Sequence, residues 1–238
     1  MRQVPKNSNY LIVGSGRLAR HLSFYFEYLE IPYGVWTRGE SQDSLKKKMQ
    51  NSPNVLLAIR DDAIISFYEE HAADKNTFIH FSGQIHHPEM LGFHPLMTFT
   101  DRLYQATVYP EIHFVGVHSP TLFQVHFPNF TNTYHQIKNE QKALYHALCV
   151  LCGNGTTLLW ELASLEFKKM GVDPQALHPY LRQASEQILQ QSPGRFTGPW
   201  YRGDNKTSQA HSQALRGHNL EDLFTTIKQK AQTLDVSK

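Results

Sequence analysis

The stretch from Asn9 to Arg20 reads Asn-Tyr-Leu-Ile-Val-Gly-Ser-Gly-Arg-Leu-Ala-Arg, and it decides the fold. Its continuous apolar run, Tyr10 to Val13, is typical of a short strand that is buried on both faces. A Gly-x-Gly-x-x-Ala turn follows, and an amphipathic segment continues from Arg17 to about Leu29. Strand, glycine turn and helix in this order indicate a dinucleotide-binding unit.

Six residues of this turn are the predicted cofactor contacts. Gly14 permits the turn, Gly16 lets the backbone approach a pyrophosphate, and Ala19 lets the helix pack closely on the strand. The others are Ser15, Arg17 and Leu18, where free N–H groups at the helix N-terminus favour an anion. The alternative is a helix that packs tightly on a strand without binding a ligand.

The end of the second predicted strand, Tyr33 to Thr37, bears on the choice of dinucleotide. Enzymes that use NAD commonly place an acidic residue about 20 residues past the glycines, where it bonds the ribose 2′-OH. Here Thr37 and Arg38 stand near that place, and a guanidinium offers a bidentate fork to a 2′-phosphate. We therefore predict NADP, with NAD as the alternative because Glu40 reaches the ribose if the strand is longer. Arg60, in the turn after the third strand, is a further predicted contact.

Strand and helix patterns alternate through residue 137, and helical periodicity alone follows. Further strands are predicted near residues 55–59, 77–81, 112–117 and 133–137, and a long helix from Lys138 to Met170 is expected to loosen near Gly153-Asn154-Gly155. We therefore predict an α/β fold: a Rossmann-like, doubly wound, mostly parallel sheet over residues 1–137, followed by an all-helical domain over residues 138–238. The substrate is expected in the cleft between these domains.

Composition excludes several classes of function. Of the 238 residues 40% are hydrophobic, which is enough for a real core, and the net charge of +2 with a single basic run predicts no nucleic-acid partner. We find no apolar run near the roughly 18 residues that span a bilayer, and no apolar core of a signal peptide, so we expect no membrane partner and a cytoplasmic protein. Cys149 and Cys152 are expected as small buried side chains on one helix face, with thiol redox chemistry as the alternative.

Several polar groups are expected to converge on the predicted cleft. Ser82 follows the fourth strand, where the nicotinamide should lie, and His94 ends the next segment. Lys142 and His146 are spaced i, i+4 and share a helix face, with Asn154 further along. Hydride transfer needs a proton partner and a donor for the developing charge. Lys142 or His94 suits the first role and Ser82 or Asn154 the second; the alternative is a solvated lysine beside a packed histidine.

The histidines near residue 90 do not predict a metal site. His86 and His87 are adjacent, so in an extended segment their side chains point to opposite faces. Zinc sites need three or four rigidly held ligands, which His80 and His94 do not complete.

Several motifs together resemble a family of NADP-dependent oxidoreductases with a Rossmann-like N-terminal domain and a helical C-terminal domain of unknown function. They are Gly14 to Ala19, Phe81-Ser82-Gly83, Phe93 to Phe99, Lys142 to His146, and Thr197 to Asp204. The resemblance implies a relationship to the 6-phosphogluconate and β-hydroxyacid dehydrogenases, pyrroline-5-carboxylate reductase and ketopantoate reductase. It also implies a homodimer formed through the helical domain.

Two catalytic patterns meet in these motifs. In β-hydroxyacid dehydrogenases a Ser-Gly follows the fourth strand, and the catalytic Lys is followed four residues later by Asn. Ser82 and Lys142 match that pattern, but His146 stands where Asn would be. His94 and Pro95 are similar to the His-Pro of prephenate and arogenate dehydrogenases, where the His works near the substrate. The resemblance therefore leaves the proton donor open between Lys142 and His94.

Our hypothesis is an NADP-dependent dehydrogenase or reductase that transfers a hydride to or from a small acidic hydroxy, keto or imino substrate. Arg202 is the candidate for binding the substrate carboxylate, and its alternative role is a local ion pair. The alternative function is a dinucleotide-binding redox sensor or regulatory dimer without turnover.

Overall fold

Five parallel strands form the main sheet in the computed structural model, which describes residues 9–190 and 197–233. The sheet has the order β2-β1-β3-β4-β5, and its strands are β1 (Tyr10–Val13), β2 (Tyr33–Trp36), β3 (Asn54–Leu57), β4 (Thr77–His80) and β5 (Leu91–Gly92). Because β1 leads to β2 on one side and lies beside β3 on the other, the strand order reverses between β1 and β3. This is where doubly wound sheets bind their ligands, and the predicted sheet is confirmed.

Both faces of this sheet are covered, which explains the continuous apolar strands. The connecting helices are α1 (Arg17–Tyr28), α2 (Gln42–Gln50) and α3 (Asp61–His71). Ile12 belongs to the cluster that contains Phe26 of α1, whereas Leu11 belongs to the cluster that contains Leu45 of α2 and Ile64 of α3. Successive residues of a strand point to opposite faces, so β1 contributes to both cores.

The strands predicted beyond residue 111 exist, but they form a second sheet rather than continuing the first. It consists of β6 (His94–Pro95), β7 (Phe114–Gly116) and β8 (Tyr134–Gln136), with β6 antiparallel and β8 parallel to β7. Helix α4 (Pro120–His126) contributes Phe123 to the aromatic core beneath this sheet.

A continuous helical stretch runs from Asn139 to Lys169. Its parts are a 3₁₀ turn at Asn139–Gln141, α5 (Lys142–Val150), a π-helical segment at Leu151–Gly155 and α6 (Thr156–Lys169). The predicted loosening is thereby confirmed, because a π segment is a local widening of the α-helix. By length and composition alone this helix could cross a membrane, because a window of 18 residues within it has a mean hydropathy of 1.3. The expected absence of a membrane partner stays a prediction.

By compactness the chain divides after Trp160, and the second unit begins at Glu161. The predicted boundary between residues 137 and 138 stays a prediction, although α5 belongs to the first unit by this division. In the second unit the described elements are all helical: a 3₁₀ turn at Pro174–Leu177, α7 (His178–Leu189), α8 (Pro199–Arg202), α9 (Asn205–Ala214) and α10 (Glu221–Thr233).

Candidate functional site

A cleft of about 700 Å³ opens at the carboxyl ends of β1 and β3, where the strand order reverses. The structure brings most of the predicted cofactor contacts together there: the cleft is lined by Gly14, Ser15, Gly16, Arg17, Leu18, Arg38 and Arg60. Ala19 is a buried residue of α1, as its predicted packing role requires. Thr37 is not part of the described lining.

The glycine turn is shaped for close approach. Gly14 has φ +132°, and a Cβ there would lie 2.3 Å from the carbonyl oxygen of Ala58, so only glycine fits. Gly16 precedes α1 without a side-chain cap, and the first turn of α1 contains no acidic residue. A Cβ on Gly16 would meet nothing within 4 Å. The cleft therefore contains an uncapped helix N-terminus, whose N–H groups suit an anion.

Glu40 does not compete for the ribose, because other groups hold its carboxylate. Lys48 donates to it at 2.5 Å, the Ser44 hydroxyl at 2.9 Å and the Thr37 amide at 3.2 Å. Burial raises the pKa of Glu40, but these hydrogen bonds outweigh burial and the net pKa is lowered. Arg38 is exposed and lines the cleft, so the positive side chain faces the ligand space and the negative one does not.

A second candidate group contains Ser82, His94, Lys142 and His146. Lys142 is its most unusual side chain. It is only 3% exposed, and its Nζ donates to the carbonyl oxygen of Ser82 at 3.0 Å. Burial lowers the pKa of Lys142 from 10.5 to about 8, and the carboxylate of Asp61 opposes that fall. A buried amine that titrates this close to neutrality suits acid–base chemistry.

The Ser82 hydroxyl is fully engaged within the protein. It donates to Asp61 at 2.7 Å and accepts from the amides of Gln84 and Ile85 at 3.2 and 3.0 Å. No proton is left for a substrate, which disfavours the predicted role of Ser82 as a donor to the developing charge. Ser82 instead orders the loop whose carbonyl holds Lys142. Sequence reasoning missed Asp61, because its contact with Ser82 joins residues from two different strand-to-loop junctions.

His94 and His146 lie together beside this group. The His94 Nδ1 is 2.7 Å from the Tyr145 hydroxyl, and the two histidine rings are 5.7 Å apart. Burial, then His146 and Lys142, lower the pKa of His94 to about 4, so His94 is neutral near neutral pH. The His146 ring lies so close to Gly83 that a Cβ there would be 2.5 Å from its Cδ2.

Asn154, in contrast, is not brought to these residues. It lies in the π-helical segment, is exposed, and takes part in no described hydrogen bond. Its predicted catalytic role therefore gains no support from the geometry.

His80 is a further buried group that sequence reasoning considered only as a metal ligand. Its Nδ1 accepts from the Ser82 amide at 3.3 Å. Burial and then the charge of Lys142 lower the pKa of His80 to about 3, so it acts as a neutral acceptor that helps to fix the Ser82 loop. Within residues 9–190 and 197–233, no group of three or more His, Cys, Asp or Glu side chains is arranged to hold a metal ion.

Two other predictions concern more distant residues. Arg202 ends α8 in the second unit and is exposed, while Asp204 caps α9 by accepting from the Thr207 amide at 3.1 Å. Substrate binding by Arg202 stays a prediction. The two cysteines were predicted to be buried, which is wrong for the single chain: Cys149 is half-buried and Cys152 is exposed.

Comparison with known proteins supports the fold. Residues 122–231 match the family model of a domain of unknown function, DUF2520. A protein from Bacteroides fragilis, described as a candidate NADP oxidoreductase, is 17% identical with a TM-score of 0.72, over 96% of this chain and 99% of the other. A Thermotoga maritima protein is 18% identical with a TM-score of 0.71, over 94% and 97%. A search of curated proteins finds no relative.

A third solved structure, Plasmodium falciparum pyrroline carboxylate reductase with NADP bound, is 12% identical with a TM-score of 0.58, over 96% of this chain and 98% of the other. At such identities the likeness shows the fold: a Rossmann-type sheet followed by a helical C-terminal region. The structural resemblance indicated by the sequence motifs is thereby confirmed.

Proposed function

We propose that this protein is an NADP-dependent oxidoreductase that acts on a small acidic hydroxy, keto or imino compound. The observation that carries the proposal is the uncapped N-terminus of α1, which lies behind the Gly14 turn in a cleft that also contains Arg38. A helix N-terminus of this kind binds a pyrophosphate, and a guanidinium binds a 2′-phosphate.

The residues present fit the dinucleotide. The backbone from Ser15 to Leu18 would hold the pyrophosphate. Arg17 and Arg60 also line the cleft, where Arg17 pairs with Asp101 at 3.3 Å and Arg60 with Asp62 at 2.6 Å. Arg38 would hold the 2′-phosphate, because Glu40, two residues away, is turned to Lys48 and does not line the cleft. NAD is the weaker ligand on this reasoning.

Lys142, in the candidate group that also contains Ser82 and His94, supplies the proton for the reduction. NADPH, when bound, supplies a hydride to the carbon of a carbonyl or imine. Lys142 is mostly protonated at neutral pH, since its pKa is about 8, and it can give a proton to the oxygen or nitrogen on that carbon. The neutral amine then recovers a proton from water. His94, which is neutral, acts as a hydrogen-bonding group rather than as the proton donor.

The apolar side chains exposed on the long helix support the predicted homodimer. Five leucines of the helix are half or more exposed in the single chain: Leu144, Leu148, Leu151, Leu158 and Leu165. Exposed apolar patches of this kind mark interaction surfaces. We infer that a second copy of the chain covers them and that the protein is cytoplasmic.

The first experiment compares thermal stabilisation by NADPH, NADP, NADH and NAD at matched concentrations. A ligand that binds only the folded state at a hundredfold excess over Kd contributes about 2.7 kcal/mol. We expect the largest shift with NADPH. In Arg38→Ala, the loss of a charge-assisted contact worth about 1.5–3 kcal/mol weakens NADPH binding by roughly 10- to 150-fold and leaves NADH binding unchanged. Arg102→Ala, an exposed arginine outside the cleft, is the control.

Two results would refute parts of this proposal. If none of the four nucleotides stabilises the protein, the glycine turn serves packing alone. If NADPH binds but is never oxidised across a wide panel of carbonyl and imine compounds, the protein is a dinucleotide-binding sensor or regulatory dimer and not an enzyme.

A further inference from the structure

The hydroxyl of Tyr145 interacts with His94 and with Cys149, two side chains that the sequence alone did not connect. This hydroxyl lies 2.7 Å from Nδ1 of His94, which belongs to β6, although the two residues are 51 positions apart. Besides burial, Cys149, one turn further along α5, also acts on this hydroxyl and raises the pKa of Tyr145. All three residues are partly buried, so these contacts are sheltered from water.

The chemistry of these groups decides the direction of the hydrogen bond between Tyr145 and His94. A neutral imidazole has one N–H and one unprotonated nitrogen, and that nitrogen is a better acceptor than a thiol sulfur. Burial and then Cys149 raise the pKa of Tyr145 above its ordinary value, so the phenol keeps its proton. The stronger acceptor therefore receives the phenol proton, so the phenol donates to Nδ1 of His94.

We propose that Tyr145 is a positioning residue that holds His94 in the tautomer with its proton on Nε2. Within the described residues no hydrogen bond engages that Nε2–H, so it is available to a ligand. Among the polar groups near His94, His146 lies 5.7 Å away between ring centres, and Lys142 is close enough for its charge to act on the imidazole.

The catalytic use that we assign to this tautomer rests on the proposed function. If the substrate lies between Lys142 and His94, the Nε2–H donates a hydrogen bond to the oxygen or nitrogen that gains charge during reduction, while Lys142 supplies the proton. The opposite tautomer would present a lone pair to that atom and repel it. Control of the tautomer is therefore a condition for His94 to assist the reaction.

The tautomer is directly measurable by nitrogen NMR on protein whose histidines carry ¹⁵N, without turnover or cofactor. His94 signals are assigned by their loss in His94→Gln. At neutral pH we expect the wild-type His94 to show a protonated Nε2 and an unprotonated Nδ1. In Tyr145→Phe the Nδ1 signal should move, because its donor is gone, and the tautomer with a proton on Nδ1 should appear.

Tyr68→Phe, on α3, is the matched control. It removes a hydroxyl that donates to Glu89 at 2.7 Å, and it should leave the His94 signals unchanged. A wild-type His94 with its proton on Nδ1 overturns the inference even if Tyr145→Phe does not fold. So does a Tyr145→Phe spectrum identical to the wild-type spectrum. A protein with the expected signals that never oxidises NADPH refutes the proposed function and leaves the assignment of the tautomer intact.

Discussion

Replacing Lys142 by methionine removes a charge from a place where charge is costly and keeps the length of the side chain. The pKa of Lys142 falls from 10.5 to about 8 on folding because the ammonium is buried. Below about pH 8 both the folded and the unfolded chain hold this proton, and the full cost of burying the charge is present. Between pH 8 and 10.5 only the unfolded chain binds it, so the free energy of unfolding rises with pH.

The magnitude follows from the size of that fall. A change in pKa from 10.5 to about 8 corresponds to about 3 kcal/mol between the two protonation states. Lys142→Met has no proton to lose, so its free energy of unfolding lacks this rise. The stability of the variant relative to the wild type should therefore drop by about 3 kcal/mol as the pH increases from neutral to 10.5. The other titrating groups are common to both proteins and cancel in the difference.

Urea unfolding measures this difference at a series of pH values. Fluorescence of the three tryptophans follows unfolding, with Trp36 of the first unit buried beside β1. Circular dichroism follows the helices. Lys46→Met on the exposed face of α2 is the control, and its difference from the wild type should be flat over the same range. A flat difference for Lys142→Met as well would show that the Lys142 ammonium is not held in a desolvated site, and its proposed role as a proton donor near neutrality would lose its basis.

Two further predictions follow from particular contacts. Gly83→Ala places a Cβ 2.5 Å from the His146 ring. We expect the free energy of unfolding in urea to fall by about 1–3 kcal/mol and the His146 signals in nitrogen NMR to move. Gly39→Ala, whose Cβ would meet only Thr37 Oγ1 at 3.9 Å, should change neither. The pair Leu148→Glu and Leu151→Glu should convert a dimer into a monomer in light scattering, whereas Val125→Glu on α4 should not. A wild-type protein that is already monomeric, or that floats with lipid vesicles, contradicts the proposed dimer.

The main sheet was predictable because its signals are local. Tyr10 to Val13 are apolar without interruption, as a strand covered on both faces must be, and Gly14 has a φ that only glycine adopts readily. The loosening at Gly153 and Gly155 was also visible, because glycine weakens a helix wherever it stands. None of these inferences depended on contacts between residues that are far apart in the sequence.

The choice between NADP and NAD shows where local reasoning stops. Arg38 and Glu40 are two residues apart and favour opposite cofactors, so the sequence left both open. Lys48 of α2 donates to Glu40, and this contact between two elements supports the proposal of NADP. The contacts of Asp61 with Ser82 and of Tyr145 with His94 were hidden for the same reason, since they depend on how separate elements approach one another.

Helix α5 buries its polar face and exposes its apolar face, which is the reverse of an ordinary amphipathic helix. Lys142, Tyr145, His146 and Cys149 follow the spacing i, i+3, i+4 and i+7, so they share one face of the helix. The leucines at positions 144, 148 and 151 lie on the opposite face and are half or more exposed. In a helix that packs only on its own chain, the leucines would turn inward and the lysine would face water. Here the polar face meets the Ser82 loop and His94, and the burial of the Lys142 charge costs stability. The apolar face requires a separate cover. One helix therefore links the proposed proton donor to the proposed dimer, because the turn that buries Lys142 is the same turn that leaves the leucines for a second chain.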